Sequence, residues 1–336
     1  MSELVIVITD LYLGAEPGSA PAPRGTLPGL EALGRFARAG RLSNGWRSWV
    51  AHWLDLASYA ALPPASVAGA AAAVPAPALW LAEPLSLTEG VGRVHLERRG
   101  RLRLEAAEAA RLAEDFNALY AGSGLTLTGL PGGTLLLGAP AGAPVRTFDP
   151  ARLPTEALAE RLPQGPGAGD LRRLGSELEM WLHTHPLNAG RAARGAPPVS
   201  QLWIWGGGAG AAAPRSGTSL RAEVYGEEAY LAGLAMLGGA TLRAPPESAA
   251  RVLDASGART LCALEVSEAL RQSRQADLLG ALAELDQRWI APAVAAIGTG
   301  TLERLWLLAN DRAWSLRRRD LWRRWRRGRP ALEALT

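Results

Sequence analysis

The sequence predicts an α/β fold, a doubly wound and largely parallel sheet with a small α+β domain inserted in it. Three observations carry this. Leu4-Val-Ile-Val-Ile8 is a continuous apolar, β-branched run, as expected of a central strand covered on both faces. Later strand-like runs at 260–264 and 302–309 alternate with helical stretches. Between them the pattern changes to short strands around one amphipathic helix. The expected core is therefore 1–74 with 184–336, and the expected insert is 75–183.

Taken in order, 30–39 reads as a helix with Leu30, Leu33, Phe36 and Ala37 on one face. A second helix at 41–59 carries Trp46, Trp49, Val50 and Trp53 at helical spacing, an aromatic stripe that belongs in a core. The Pro/Ala stretch 62–78 reads as a linker. Beyond it, 91–97, 125–130 and 133–138 read as strands. The stretch 104–120 is an amphipathic helix, with Leu104, Ala107, Leu112, Phe116 and Leu119 inward and Glu105, Glu108 and Glu114 toward solvent. A helix at 171–183 is expected to return the chain to the core. There Trp203-Ile-Trp205 forms a buried strand ending in Gly206-Gly-Gly208, a loop that must pass close to something. Helices are expected at 227–237 and 273–290, and 302–309 is expected to be the last strand.

Composition narrows the classes. Among 336 residues there is one cysteine, Cys262, which excludes an internal disulfide and a cysteine-rich zinc site. No apolar run reaches the roughly 18 residues that span a bilayer. The N-terminus shows no secretory signal pattern, so a cytoplasmic protein is expected. All basic residues are arginine and the formal charge is only +4, so the charge balance is no nucleic-acid signal. One region stands apart: the arginines from Arg317 to Arg327, interleaved with Trp314, Trp322 and Trp325. Such a pattern suits a phosphate-rich single strand. It suits equally a terminal amphipathic helix that packs tryptophan and solvates arginine, which is the reading preferred here.

The polar chemistry concentrates between His183 and Gly208, where His183, His185, Asn188, Arg191 and Arg194 precede the tryptophan strand. Asp10 and Asp311 each follow an apolar strand. In an open α/β sheet such ends are ligand positions, although a carboxylate there is also a common turn residue.

These stretches resemble one family. His185-Pro-Leu-Asn-Ala-Gly-Arg191, Arg194-Gly-Ala-Pro-Pro198 and Leu202-Trp-Ile-Trp-Gly-Gly207 are similar to motifs of archaeal-type cofactor-independent phosphoglycerate mutases. Leu104-Glu-Ala-Ala-Glu-Ala-Ala-Arg-Leu112 resembles the helix of that family's inserted domain. Bacterial regulatory proteins of the RpfE type, often labelled phosphoglycerate mutase-like, are a nearer resemblance. The resemblance implies an alkaline-phosphatase-like core, two divalent metals and a serine that takes phosphate in transit. Asp10 matches the aspartate closing the first strand. Ser48, in Arg47-Ser-Trp-Val-Ala51, falls where the family has Gly-Ser-Asp-x-Ala, with Trp49 replacing the aspartate. The family's His-x-Glu-x-x-Asp-x-x-x-His stretch falls on 264–272, with Glu265 kept, Glu268 for the aspartate and Gln272 for a histidine. Its later Asp-His pair becomes Asp311-Arg312, and no histidine follows His185.

A binuclear centre needs carboxylates and neutral imidazoles. With a guanidinium and an amide in place of imidazoles, the resemblance implies a degenerate phosphoglycerate mutase-like protein with a regulatory or ligand-binding role. His185, Asn188 and Arg191 would then hold a phosphorylated or carboxylate small molecule. The expected cofactor is none, or one divalent ion (Mn or Mg) at Asp10, Asp311 and Glu268. The alternative is an active metal-dependent phosphomutase or phosphatase with Ser48 as its catalytic residue. A further alternative is nucleic-acid or partner binding through the C-terminal Arg/Trp segment.

Overall fold

The computed structural model describes residues 2–12, 26–72, 74–90, 93–96, 100–153, 158–214, 220–253, 259–266, 278–323 and 335. In chain order, the strands are β1 Glu3–Ile8, β2 Arg38–Arg41, β3 Ala78–Leu85, β4 Thr88–Gly90, β5 Arg93–His95, β6 Thr126–Gly129, β7 Leu135–Ala139 and β8 Gln201–Ala209. They continue with β9 Glu223–Tyr225, β10 Arg259–Leu264, β11 Arg304–Ala309 and β12 Arg312–Leu316. The helices used below are α1 Pro28–Phe36, α2 Gly45–Trp53, α3 Pro64–Ala72, α4 Ala106–Leu119, α5 Ala168–His183, α6 Pro186–Ala193 and α7 Ala229–Leu237. The chain divides into two compact units. The first is Met1–Ala60, Leu220–Glu227 and Thr241–Thr336; the second is Ala61–Ser219 and Glu228–Ala240.

The first unit is built on a six-stranded sheet in the order β2-β12-β11-β1-β10-β9. β11, β1, β10 and β9 are parallel, β12 runs antiparallel to β11, and β2 is antiparallel to β12 in turn, so it runs with the parallel strands. The two-residue side-chain period sorts β1 and its neighbours onto two faces. Leu4, Ile6, Ile8, Leu305, Leu307, Cys262 and Leu264 pack with Leu30 and Leu33 of α1 and with Leu282, Leu285 and Ile297. On the opposite face Trp306 meets Trp49 of α2 at 5.1 Å, and Trp53 Nε1 donates to Glu3 Oε2 at 3.1 Å. The tryptophan stripe is thus a lining for the sheet. Both faces of β1 are covered, which accounts for its unbroken apolar run.

Two expectations change here. The run at 302–309 is not the last strand, because Asn310 and Asp311, at φ 48° and 56°, form a two-residue hairpin turn into β12. Left-handed backbone at both central positions is the type I′ geometry that matches sheet twist, and Asn and Asp tolerate it. The helix expected over 41–59 begins only at Gly45, because Arg38–Arg41 is a strand exposed along its whole length. No apolar alternation betrays it.

The helix Leu278–Leu285 runs through one π turn, Asp286–Ile290, into a helix over Ala291–Thr299. That turn carries the fully buried Asp286. Its Oδ2 accepts from the Gly29 N–H at 2.9 Å and its Oδ1 from the Leu30 N–H at 2.7 Å. These are donors in the first turn of α1, whose N-cap residue, Leu27, makes no side-chain cap. Burial holds the Asp286 carboxyl above the ordinary range, against the lowering effect of the two N–H bonds.

The second unit contains an antiparallel sheet in the order β6-β7-β3-β8. Trp80, Ala82, Leu135, Leu137, Leu202 and Ile204 share a core with Leu112 and Phe116 of α4 and Leu174, Leu178 and Leu182 of α5. Leu79, Leu81, Leu136, Trp203 and Trp205 share another with Ala65 and Ala68 of α3. The stretch 62–78 is therefore no linker. Alanine is the best helix former and proline suits a first helical position, so 64–72 folds as a helix with Ala65, Val67 and Ala68 fully buried.

Pairing also moves the expected boundary at 183/184. β8 lies antiparallel along β3 from Leu85↔Gln201 to Ala78↔Ala209, so the chain stays in the second unit through Ser219. The helix at 168–183 does not return the chain to the six-stranded sheet. Among the described residues no helix is long and apolar enough to cross a membrane.

Replacing Asp286 by alanine orphans two buried N–H groups, and should cost about 3 kcal/mol in urea unfolding. The folded carboxyl titrates above its ordinary 3.8, so the folded state holds this proton more tightly than the unfolded chain does. Stability relative to Asp286→Asn should therefore fall as pH rises from below 3.8 through the raised value, as urea midpoints at about pH 3, 5 and 7 would register.

Candidate functional site

Open α/β sheets bind ligands beyond the carboxyl ends of their parallel strands. In the first unit that end gathers residues far apart in sequence. The Val266 N–H, just past β10, donates to Asp10 Oδ1 at 2.6 Å, and the Thr9 N–H donates to the Leu264 carbonyl at 3.0 Å. The Asn310 N–H donates to the Leu11 carbonyl at 2.9 Å, and the Leu42 N–H donates to the Asp311 carbonyl at 2.7 Å. Leu42 lies three residues before α2, and its carbonyl accepts from the Gly45 N–H at 3.2 Å, so the start of that helix arrives at the same end. Asp10, Asp311 and the helix bearing Ser48 are thereby brought together. Asp10 is buried, and Ser48 is half-buried with its carbonyl 2.7 Å from His52 Nδ1. Glu268 lies outside the described residues. Among the described residues no three His, Cys, Asp or Glu side chains are grouped to hold a metal ion.

The same end is cationic. Arg41 and Arg312 are direct partners across the β2–β12 ladder, so their side chains leave the sheet on one face. Neither has an ion-pair partner among the described residues. The first turn of α2 carries Arg47 and no acidic residue, and its N-cap, Asn44, makes no side-chain cap. That is the reverse of the usual charge preference at a helix start.

The Arg/Trp segment departs from the expected terminal helix. Trp314 is buried in β12, and Arg318–Trp322 is a short 3₁₀ turn. Asp320, also buried, lies 3.5 Å from Arg38 and 2.9 Å from Arg323, while Trp322 is exposed. Trp325 and the arginines at 324, 326 and 327 lie outside the described residues.

In the second unit, the stretch read as the polar centre of the sequence is occupied by its own fold. Asn188 Nδ2 donates to the Leu182 and Val199 carbonyls at 2.8 and 2.9 Å, and its Oδ1 accepts from the Val199 N–H at 2.8 Å. Arg191 donates from Nε to the Pro197 carbonyl and from Nη1 to Glu108 Oε2, both at 2.7 Å. Arg194 Nη2 donates to Glu108 Oε1 at 2.6 Å. Glu108 Oε2 also accepts from the Glu105 N–H at 3.0 Å, closing a capping box at the start of α4. Glu108 is therefore buried rather than solvent-facing, as the helical pattern had suggested.

His185, buried at the start of α6, accepts from the Leu187 N–H through Nδ1 at 3.2 Å. Its neutral form thus carries the proton on Nε2, 3.2 Å from Asp115 Oδ2 but too oblique for a full hydrogen bond. Burial lowers the His185 pKa, with Asp115 pulling the other way. Trp181 meets the ring edge-on at 4.6 Å. The polar cluster was legible; its partners on α4 were not, because a capping glutamate and a solvent-facing one look alike in sequence.

The three glycines also find their neighbour inside the unit. They continue β8 rather than opening a loop. A side chain at Gly207 would collide with the Trp80 ring, one at Gly208 would press on Pro63, and Gly206, at φ 64°, sits against Pro64.

With the Trp80 ring on Gly207, a cavity of about 750 Å³ opens beside it, lined on one side by α5 and on the other by the loop after β7. Tyr120 Oη donates to Glu177 Oε2 at 3.1 Å at its rim. Burial, helped by Glu177, pushes the Tyr120 phenol up to about 12, so it remains a donor at neutral pH.

No family model and no curated protein matches this chain. Among solved structures, a cofactor-independent phosphoglycerate mutase from Thermoplasma acidophilum DSM 1728 is similar at 17% identity and a TM-score of 0.40, over 94% of this chain and 89% of that one. The PH0037 protein from Pyrococcus horikoshii is similar at 12% identity and a TM-score of 0.47, over 94% and 86%.

Truncating Glu108 to alanine leaves Arg191 buried without its counter-charge, and should cost about 3–5 kcal/mol. Asn188→Ala orphans the Val199 N–H and should cost about 2 kcal/mol, with both losses read from urea midpoints.

Proposed function

We propose that this chain is a phosphoglycerate mutase-like α/β protein of alkaline-phosphatase-like architecture that has left binuclear metal catalysis. It binds a phosphorylated or carboxylate small molecule at the carboxyl end of its six-stranded sheet, in a regulatory role of the RpfE type. The support is the motif resemblance, the sheet topology and, above all, the pairing of Arg41 with Arg312 across β2–β12 beside the Asn310–Asp311 turn. Like charges set directly opposite each other destabilise a ladder, and an anion between them removes the repulsion. Bidentate guanidinium contacts suit phosphate and carboxylate equally. A divalent ion is disfavoured by the same charges: about 4 Å from one guanidinium it meets roughly 8 kcal/mol of repulsion at an effective dielectric near 20. His185, Asn188 and Arg191 belong to the internal clamp of the second unit in this reading and do not hold the ligand.

One observation favours a second reading. Asp10 and Asp311 follow neighbouring parallel strands, and Asp10 bonds the Val266 N–H two residues before Glu268. An active phosphatase or phosphomutase would hold one Mn or Mg ion there and use Ser48 to take the phosphoryl group.

Calorimetric titration separates the two. The first reading expects saturable binding of 3-phosphoglycerate or inorganic phosphate, weakened about tenfold by Arg41→Ala or Arg312→Ala, and no Mn²⁺ heat. Mn²⁺ binding abolished by Asp10→Ala, together with phosphatase activity lost in the same variant, would establish the second. Interconversion of phosphoglycerates by the purified chain would overturn the first.

A further inference from the structure

The cavity in the second unit is independent of that reading. Its floor is apolar, formed by the Trp80 ring with Leu171 and Leu174 of α5. Its charged side chains are Asp170, Arg173 and Glu177, all on one face of α5, and together they carry one net negative charge. Arg173 is already committed, with Nη2 2.9 Å from Asp170 Oδ1, whereas its Nε stands 4.0 Å from Glu177 Oε1. Tyr120 occupies only the other oxygen of Glu177. One guanidinium is thus shared between two carboxylates, and the negative charge left over lies on this face, with Glu177, the more weakly paired of the two, on the rim of an apolar space. At about 750 Å³ the space falls within the roughly 300–1,000 Å³ of small-molecule sites.

From this placement we infer that the second unit carries a binding site for a small amphipathic amine. The apolar body of the ligand fills the space over Trp80, Leu171 and Leu174, and its ammonium group meets the Glu177 carboxylate. An apolar body displaces water from the floor, and the ammonium supplies a second cation to two carboxylates that share one guanidinium. The phenol of Tyr120 keeps that carboxylate in place.

Calorimetry of the full chain with 2-phenylethylammonium, and with 3-phenylpropionate as the oppositely charged probe, tests the assignment. The expected result is one amine site per chain, weakened by salt, at least about tenfold weaker in Glu177→Gln, and lost in Leu171→Lys. Glu177 is exposed and Leu171 only half-buried, so both variants should keep the wild-type thermal transition, which is measured alongside. Equal or tighter binding of the propionate overturns the inference. So does amine binding that neither variant weakens, or the absence of saturable heat up to about 10 mM amine.

Discussion

The second unit depends on how the Glu108 carboxylate is satisfied. A buried acid is tolerated only when its oxygens are bonded, and here a backbone N–H and two guanidinium groups supply the bonds. That arrangement fixes the start of α4 against α6. Two turns further along α4, Asp115 faces His185 at the N-cap of α6, so residues seven apart on α4 meet residues six apart at α6. Asn188 then ties the incoming chain to Leu182 and Val199, just before Gln201–Ala209 joins the sheet as β8. The start of α4 and the stretch from His185 to Arg194 are thus two halves of one contact.

The first unit uses the same device with different donors. Asp286 bonds N–H groups at the start of a helix more than 250 residues away, and Asp10 bonds the Val266 N–H across a similar separation. Neither bond is local, so both stabilise the sheet only after the parallel strands have assembled. The π turn that presents Asp286 has a physical role in this, since it turns one carboxylate out of the regular helical ladder.

Where apolar periodicity was strong, the sequence was readable. β1, α4, α5, β10 and β11 fall within a few residues of their expected positions. Three kinds of element were hidden. α3 was hidden by a composition of proline and alanine that also describes linkers, β2 by having no buried residue, and β3 by Glu83 and Pro84 inside an otherwise apolar run. β8 was visible as a strand, but nothing local says which sheet a strand joins, so its unit was misassigned. At the carboxyl end of the six-stranded sheet, Asp10 and Asp311 could be found from strand ends. The pairing of Arg41 with Arg312 could not, because β2 itself was invisible.

The unmarked β2 has a further consequence. A parallel sheet that stopped at β11 would offer a long row of unsatisfied N–H and C=O groups to any passing chain. Instead the tight turn at Asn310–Asp311 folds β12 back, and the sheet terminates in a four-residue strand bearing arginine at both ends. Short length and charge are the standard deterrents to strand addition. The short strand and its two arginines thus leave little edge for a further strand to join.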